Sequence, residues 1–344
     1  LIHVGKRRIL MGGALTTGEM RRTIMTILGL ILPEKDALPL HGAAAQGDGE
    51  ITLFLGPAGA QKSTWALKCG QLIGDRALSW STNGLHRLAD GCRLHLNHSL
   101  PISLDQALQF GTVAENLTLT NERTPILDDP NDDLSTKIPA HLVLPLELLN
   151  ATSETNTNGP TQLVILTTDP LGVLPPLAKI SHEQCLAWFI LGYGNHFGPQ
   201  EGLRPEMDIR FMPGFMDTLL PRNLNDYIFI LEDLLEEYET RCFLVNAGWH
   251  GGQSGQGSPL STSEQSAVID SMHHCADWRP FGTLGLSIPS EKSETAAAWN
   301  SVDRWPDSDD CLSNLSKLVS IIADELQRTS KPERWLRALE IECN

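Results

Sequence analysis

The apolar positions of this chain follow two rhythms, and their order predicts an α/β fold. Lys6 to Gly12 runs from basic to apolar and predicts a strand. Gly18 to Leu32 carries apolar residues at helical spacing, and Pro33 ends the pattern. Ile51 to Leu55 is a short apolar strand, Gly56 to Gln61 a loop of small residues, and Lys62 onward a helix through Ala66 and Leu67. Ala77 to His98 reads as strand-rich, with a turn at Asn83-Gly84. Asp128 to Ser135 predicts an acidic loop and Ser153 to Thr161 a polar surface loop. Leu163 to Leu166 is a core strand leading into Thr167 to Pro176. Ile228 to Tyr238 is an acidic helix, and Cys242 to Val245 is a strand followed by the Gly-rich run Gly248 to Gly257. After a polar, irregular stretch from Ser290 to Asp310, Leu315 to Gln327 is an amphipathic helix. Strands and helices alternate, and the strand-rich stretch makes the expected sheet a mixed one.

Charge narrows the partners. Lys plus Arg is 26 and Asp plus Glu is 42, a formal net charge of −16. Such a surface repels nucleic acid and anionic membranes, while leaving room for a local basic pocket that takes phosphates. A length of 344 residues suffices for one large domain or two ordinary ones. No apolar run reaches a membrane span, and Thr23 to Leu32 predicts a buried helix instead. Seven scattered cysteines with no CxxC predict reduced thiols. With no recognisable signal peptide, the expected location is cytoplasmic. The chain opens on Leu1, as a fragment or a processed form would.

The most specific chemistry lies in Gly56-Pro57-Ala58-Gly59-Ala60-Gln61-Lys62-Ser63-Thr64. A strand before and a helix after are the context of a P-loop, whose backbone N–H groups and helix N-terminus face phosphates. Lys62 is expected to reach the β- and γ-phosphates, and Ser63 to offer its hydroxyl to Mg²⁺. Gln61 stands where the usual pattern has Gly, the residue that permits close approach to phosphate. From the loop alone, a ligand-free strand-to-helix turn remains an equal reading.

Other segments recur in a known order. Leu38-Pro39-Leu40-His41, Leu53 to Thr64, Leu72-Ile73-Gly74-Asp75, Trp80, Asn83-Gly84, Gly91-Cys92, Phe110-Gly111 and Glu115-Asn116 come first. Leu166-Thr167-Thr168-Asp169, Gly172-Val173-Leu174-Pro175-Pro176, Leu191-Gly192-Tyr193, Leu244 to Trp249 and Gly285 to Pro289 follow. In this order the chain resembles the ATP-dependent phosphoenolpyruvate carboxykinases. The resemblance implies a mixed-sheet, P-loop nucleotide-binding domain over residues 36–330. It further implies a remnant of the substrate-side N-terminal domain over 1–35 and a C-terminal tail over 331–344. It implies ATP and Mg²⁺, often Mn²⁺, and conversion of oxaloacetate and ATP to phosphoenolpyruvate, CO₂ and ADP. Most of the family's N-terminal domain, with an Arg that holds the substrate, is expected to be missing here.

Carried over position by position, the resemblance makes His41 the Mn²⁺-binding His, Lys62 the loop Lys, and Ser63 the equivalent of a Thr. Asp75 matches the first Asp of a Gly-Asp-Asp, and Arg76 stands at the second, a metal ligand. Arg22 stands at a metal-binding Lys, Thr16 at a substrate-site Tyr, Lys137 at a substrate-site Arg, His95 at a nucleotide-contacting Lys, and Ser258-Pro259 at a Lys-Arg pair beside the adenine. Arginine stays protonated and has no lone pair for a metal. At ~4 Å and an effective dielectric near 20, each unit-charge interaction is about 4 kcal/mol, so Arg76 opposes a Mn²⁺ site. The expected remainder is a P-loop with one Mg²⁺ held by Ser63, water and Asp75.

Blander readings stand beside these. His41 suits a core His, Asp75 a local cap or a partner of Arg76, and Arg22 with Arg76 either a new anion site or weak surface salt bridges. The pair His273-His274 is expected to be a solvated helix end. Three functions remain. One is ATP-dependent phosphoryl transfer to a small carboxylate or phosphorylated substrate, with Lys62, Arg22 and Arg76 as the catalytic cations. The second is a catalytically inactive relative acting as a binding or regulatory module. The third, ordinary oxaloacetate decarboxylation and phosphorylation, is the one these substitutions weigh against.

Overall fold

The computed structural model describes residues 2–12, 17–95, 102–115, 117–122, 125–126, 141–195, 208–216, 220–290 and 299–342. Its centre is an eight-stranded mixed sheet. From one edge to the other the strands are Trp278–Pro280, Ser287–Pro289, Leu177–Ile180, Arg241–Asn246, Gln162–Thr167, Glu50–Leu55, Ala43–Gly47 and Gln71–Asp75. Gln162–Thr167 runs parallel to both of its neighbours, with Leu163 opposite Leu53 on one side and Cys242 on the other. The remaining pairings are antiparallel. Leu163 to Leu166, Cys242 to Val245 and Leu53 to Leu55 are almost wholly buried. Covered on both faces, these three strands lose polar alternation and become the short apolar runs visible in the sequence.

All three parallel strands point the same way, so the loops that follow them gather at one edge. Those loops are Gly56 to Gln61, Thr168 to Pro176 and Ala247 to Gly257. Open α/β sheets bind ligands at this carboxyl edge. Close packing holds the loops together. A Cβ on Gly194 would lie 2.7 Å from Pro57 and 2.8 Å from the Thr168 hydroxyl. Asp169, wholly buried, accepts hydrogen bonds from the backbone of Leu171, Val173 and Leu174 and from the Tyr193 hydroxyl. It holds its loop as a rigid shelf, with the buried carboxylate fully satisfied.

Helices cover the sheet. Thr17–Ile31 continues into a 3₁₀ turn at Leu32–Lys35, where Pro33 takes an early position. Capping boxes start the helices at His182–Leu191 and Thr262–His274: Ser181 pairs with Gln184 and Ser261 with Glu264. The strand-rich stretch forms Leu78–Ser81, Gly84–Arg87 and Cys92–His95, on two smaller sheets beside the main one. The expected tail contributes to the core, because Trp335 and Leu336 of the helix Pro332–Ala338 are buried. Among the described residues no helix is long and apolar enough to cross a membrane.

Candidate functional site

The strand Glu50–Leu55 delivers the chain to the carboxyl edge, and the helix Lys62–Cys69 carries it away. Between them Gly59 turns at φ 78°, a conformation glycine adopts without steric cost. A Cβ on Gly56 would come within 2.6 Å of the Leu166 carbonyl, so only glycine lets the loop leave its strand here. Gln61 also sits in the left-handed region, at φ 57° and ψ 36°, and its carbonyl accepts the first helical bond, from Trp65. Gln61, standing where the usual pattern has Gly, takes a left-handed conformation that Gly adopts readily.

Lys62 and Ser63 follow at the helix start, both buried, with Thr64 half-buried. The Lys62 ammonium donates to the carbonyls of Gly56 at 2.8 Å and Pro57 at 2.9 Å. It therefore folds back over the loop. Ser63 Oγ donates to Asp75 Oδ1 at 2.7 Å. Asp75 ends the edge strand Gln71–Asp75 and is wholly buried. Its Oδ2 accepts from the Arg93 backbone at 2.9 Å and lies 3.6 Å from Arg76 Nε.

Arg76 follows in a left-handed turn, at φ 65°. Its N–H donates to the Gly42 carbonyl, and its own carbonyl accepts from His41 Nδ1 at 3.0 Å. That bond fixes the tautomer and leaves Nε2 as the acceptor. Burial first, then the charges of Lys62, Arg76 and Arg21, hold His41 well below its usual pKa, so its ring is neutral. The structure thus brings together Lys62, Ser63, Asp75, Arg76 and His41.

Arg22 is not part of this group. It is exposed on the helix Thr17–Ile31, and Arg21 is the residue that faces inward. Arg21 stands one helical turn before the buried Met25, on the covered face, whereas Arg22 is rotated about 100° from it. Burial lowers the Arg21 pKa, and Asp75, Arg76 and Glu115 act on it electrostatically. Thr16 and Lys137 lie outside the described residues.

The family model described as phosphoenolpyruvate carboxykinase, in its ATP form, matches residues 1–296. The chain belongs to the ATP-dependent phosphoenolpyruvate carboxykinase family. It is 29% identical over 341 residues to phosphoenolpyruvate carboxykinase (ATP) of Staphylococcus haemolyticus, covering 95% of this chain and 63% of that protein. To the enzyme of the same name from Sinorhizobium fredii it is 32% identical over 300 residues, covering 83% of this chain and 54% of that protein. The Bacillus cereus (strain G9842) protein of that name is 32% identical over 279 residues, covering 78% and 52%. The chain thus spans little more than half the length of these curated relatives.

Within this carboxykinase-family chain, Ser63 and Asp75 are side-chain oxygens beside the loop, and they would have to give up their mutual hydrogen bond to take any divalent ion. They do not suit a free Mn²⁺ shared with His41. Both Asp75 oxygens are engaged, and the three cations that keep His41 neutral would repel the ion as well. Among the described residues, no three His, Cys, Asp or Glu side chains are grouped to hold a metal.

Motif reading missed Arg21, Arg93 and Glu115 as neighbours of the site. Arg93 pairs with Glu115 at 3.1 Å across two strands that are both bonded to His141–Leu144. The helical repeat that buries Met25 would have found Arg21, while no local signal places Arg93 beside Glu115. His273 also departs from expectation. It is half-buried, 3.4 Å from the Gln162 amide and 3.7 Å from Cys69 Sγ, and only His274 is an exposed helix end.

Proposed function

We propose that this chain binds ATP through Gly56 to Thr64 and directs its terminal phosphoryl group toward a small carboxylate or phosphorylated acceptor. The observation that carries the reading is the Lys62 ammonium, held on the Gly56 and Pro57 carbonyls at the mouth of a strand–loop–helix. Neutral carbonyls are weaker partners for an ammonium than phosphate oxygens are. A nucleotide therefore draws Lys62 off the loop and onto its β- and γ-phosphates. The loop amides and the start of the helix Lys62–Cys69 add positive potential on the same side. Ser63 and Asp75 are the oxygens that would hold a Mg²⁺ brought in by the nucleotide, and such an ion would supply charge neutralisation on the phosphates. Phosphoryl transfer needs positioning and charge neutralisation above all, and Lys62 with Arg76 supplies fixed charge for both.

A second reading, a binding module without turnover, is favoured by one observation. Arg76 places a cation beside Asp75, where the family resemblance has a metal ligand. The two readings separate in an assay of ADP release from ATP and Mg²⁺, screened against small carboxylates and phosphorylated acids. Acceptor-dependent ADP release that disappears in Lys62→Ala supports transfer. ATP binding with no release across the screen assigns the chain to the binding module.

A further inference from the structure

Among the described residues, the side chains around Ser63 and Asp75 include more cations than carboxylates. Lys62, Arg21, Arg76 and Arg93 face two carboxylates, Asp75 and Glu115. This happens in a chain whose net charge is −16. Asp75 is already committed to the Ser63 hydroxyl and the Arg93 N–H, and Glu115 shares an ion pair with Arg93. Arg76 and Arg93 each keep one donor, Nε, that these acids do not meet. Arg76 Nε is buried and lacks a hydrogen-bond acceptor, since Asp75 Oδ2 at 3.6 Å is beyond hydrogen-bond range. Arg93 Nε is buried without an acceptor too. The backbone holds Arg76 in place from both sides, through Gly42 and His41.

Buried guanidinium donors without an acceptor suit a planar or tetrahedral oxyanion. We infer that Arg76, Arg21 and Arg93 form an oxyanion subsite next to the phosphate loop, and that this subsite replaces a free Mn²⁺ ion with built-in guanidinium charge. The inference rests on the phosphate-loop reading, because the subsite adjoins Lys62. Phosphate and carboxylate share the chemistry that such a site recognises, and the ligand can bring either.

The test uses two probes in EDTA, pyrophosphate and malonate, titrated calorimetrically into the intact chain, R76N, R21Q and K62A. Asparagine tolerates the left-handed backbone at position 76. Arg21 lies on a helix outside the main sheet, so R21Q keeps the test open if R76N does not fold. At least one probe should bind the unmodified chain without metal, and R76N and R21Q should each weaken it about tenfold or more. Which probe binds tells whether the oxyanion is phosphate or carboxylate. In parallel, the spin-resonance signal of Mn²⁺ alone should remain that of the free ion. Stoichiometric uptake of Mn²⁺ without an anion would overturn the inference, as would failure of both probes to bind. Binding that needs Lys62 but ignores both arginines would also overturn it, and would leave the phosphate-loop reading standing.

Discussion

Ser63 Oγ and Asp75 Oδ1 lie 2.7 Å apart, a hydrogen bond that ties the first turn of the loop helix to the end of the edge strand. Asp75, wholly buried, also accepts the Arg93 N–H and lies beside the partly exposed Arg76 guanidinium. Removing this carboxylate strips acceptors from buried donors and leaves a guanidinium without its counter-charge. Asp75→Ala is expected to cost about 3 kcal/mol of stability, and Asp75→Asn less, because it keeps an acceptor oxygen. Urea denaturation of both variants measures the difference. A loss below about 0.5 kcal/mol for the Ala variant, the range of ordinary surface substitutions, would show that Asp75 does not organise the site.

Gln61 holds a left-handed backbone at the helix start, with no side-chain cap. Non-glycine residues pay roughly 1–2 kcal/mol for this conformation, and β-branched ones pay most. Gln61→Gly is therefore expected to be neutral or to stabilise the chain by up to ~1 kcal/mol, and Gln61→Val to destabilise it by at least as much. Thermal unfolding of the pair checks the sign. If Gly destabilises and Val does not, the Gln61 side chain rather than its backbone shape is what this position requires.

His250 sets a pH dependence. It is buried, donates from Nε2 to the Asn246 carbonyl at 2.9 Å, and has no partner at Nδ1. Burial, then the nearby Arg304 charge, lowers its pKa from 6.5 to about 4, while Glu264 acts in the opposite sense. Between those values the unfolded chain binds a proton that the folded chain refuses. Stability from this group is present above the unfolded pKa and is lost as pH falls toward the folded one. At 1.36 kcal/mol per pKa unit the loss from pH 7 to pH 4 is about 3 kcal/mol. Gln in its place keeps an N–H donor and cannot titrate. The stability difference between the chain and His250→Gln should shift by that amount across the range, and a difference independent of pH would refute the assignment.

Gly172 and Gly252 join two loops of the binding edge. Gly172 has φ 68°, and a Cβ on it would lie 2.0 Å from the Gly252 carbonyl. Gly172→Ala must strain the backbone and push the Gly-rich loop off the Asp169 shelf. A cost of about 2 kcal/mol or more is expected from calorimetric unfolding. An unchanged melting temperature would mean that the two loops are not packed as described.

The elements closest to the chemistry were legible in the sequence because they are uniform. Ile51 to Leu55 and Leu163 to Leu166 are unbroken apolar runs, as strands buried on both faces must be, and Gly56 to Thr64 bridges one of them to a helix. The loop pattern points to Lys62 and Ser63, the family resemblance points to Asp75, and the structure sets Asp75 against Ser63. On the helix, the residue that the structure turns inward is one position from the one the resemblance names. Positional matching chose Arg22, but the face of the helix that buries Met25 carries Arg21. A one-residue step on a helix turns a side chain by about 100°, and motif spacing does not encode that rotation. The Arg93–Glu115 pair was out of reach for a different reason. It depends on the register of two strands against a third, Val143 opposite Arg93 and His141 opposite Glu115. Register is a tertiary property that no local window contains.

ATP binding at Lys62 is the property on which the proposed function depends. Calorimetric titration of the intact chain with ATP and Mg²⁺, alongside Lys62→Ala, measures it directly. The ammonium now on the Gly56 and Pro57 carbonyls should move to the phosphates. The chain should therefore bind ATP, and the variant should lose about 2 kcal/mol of binding free energy or more, roughly a thirtyfold weaker affinity. No heat of binding in the unmodified chain, or equal affinity in Lys62→Ala, would contradict the account.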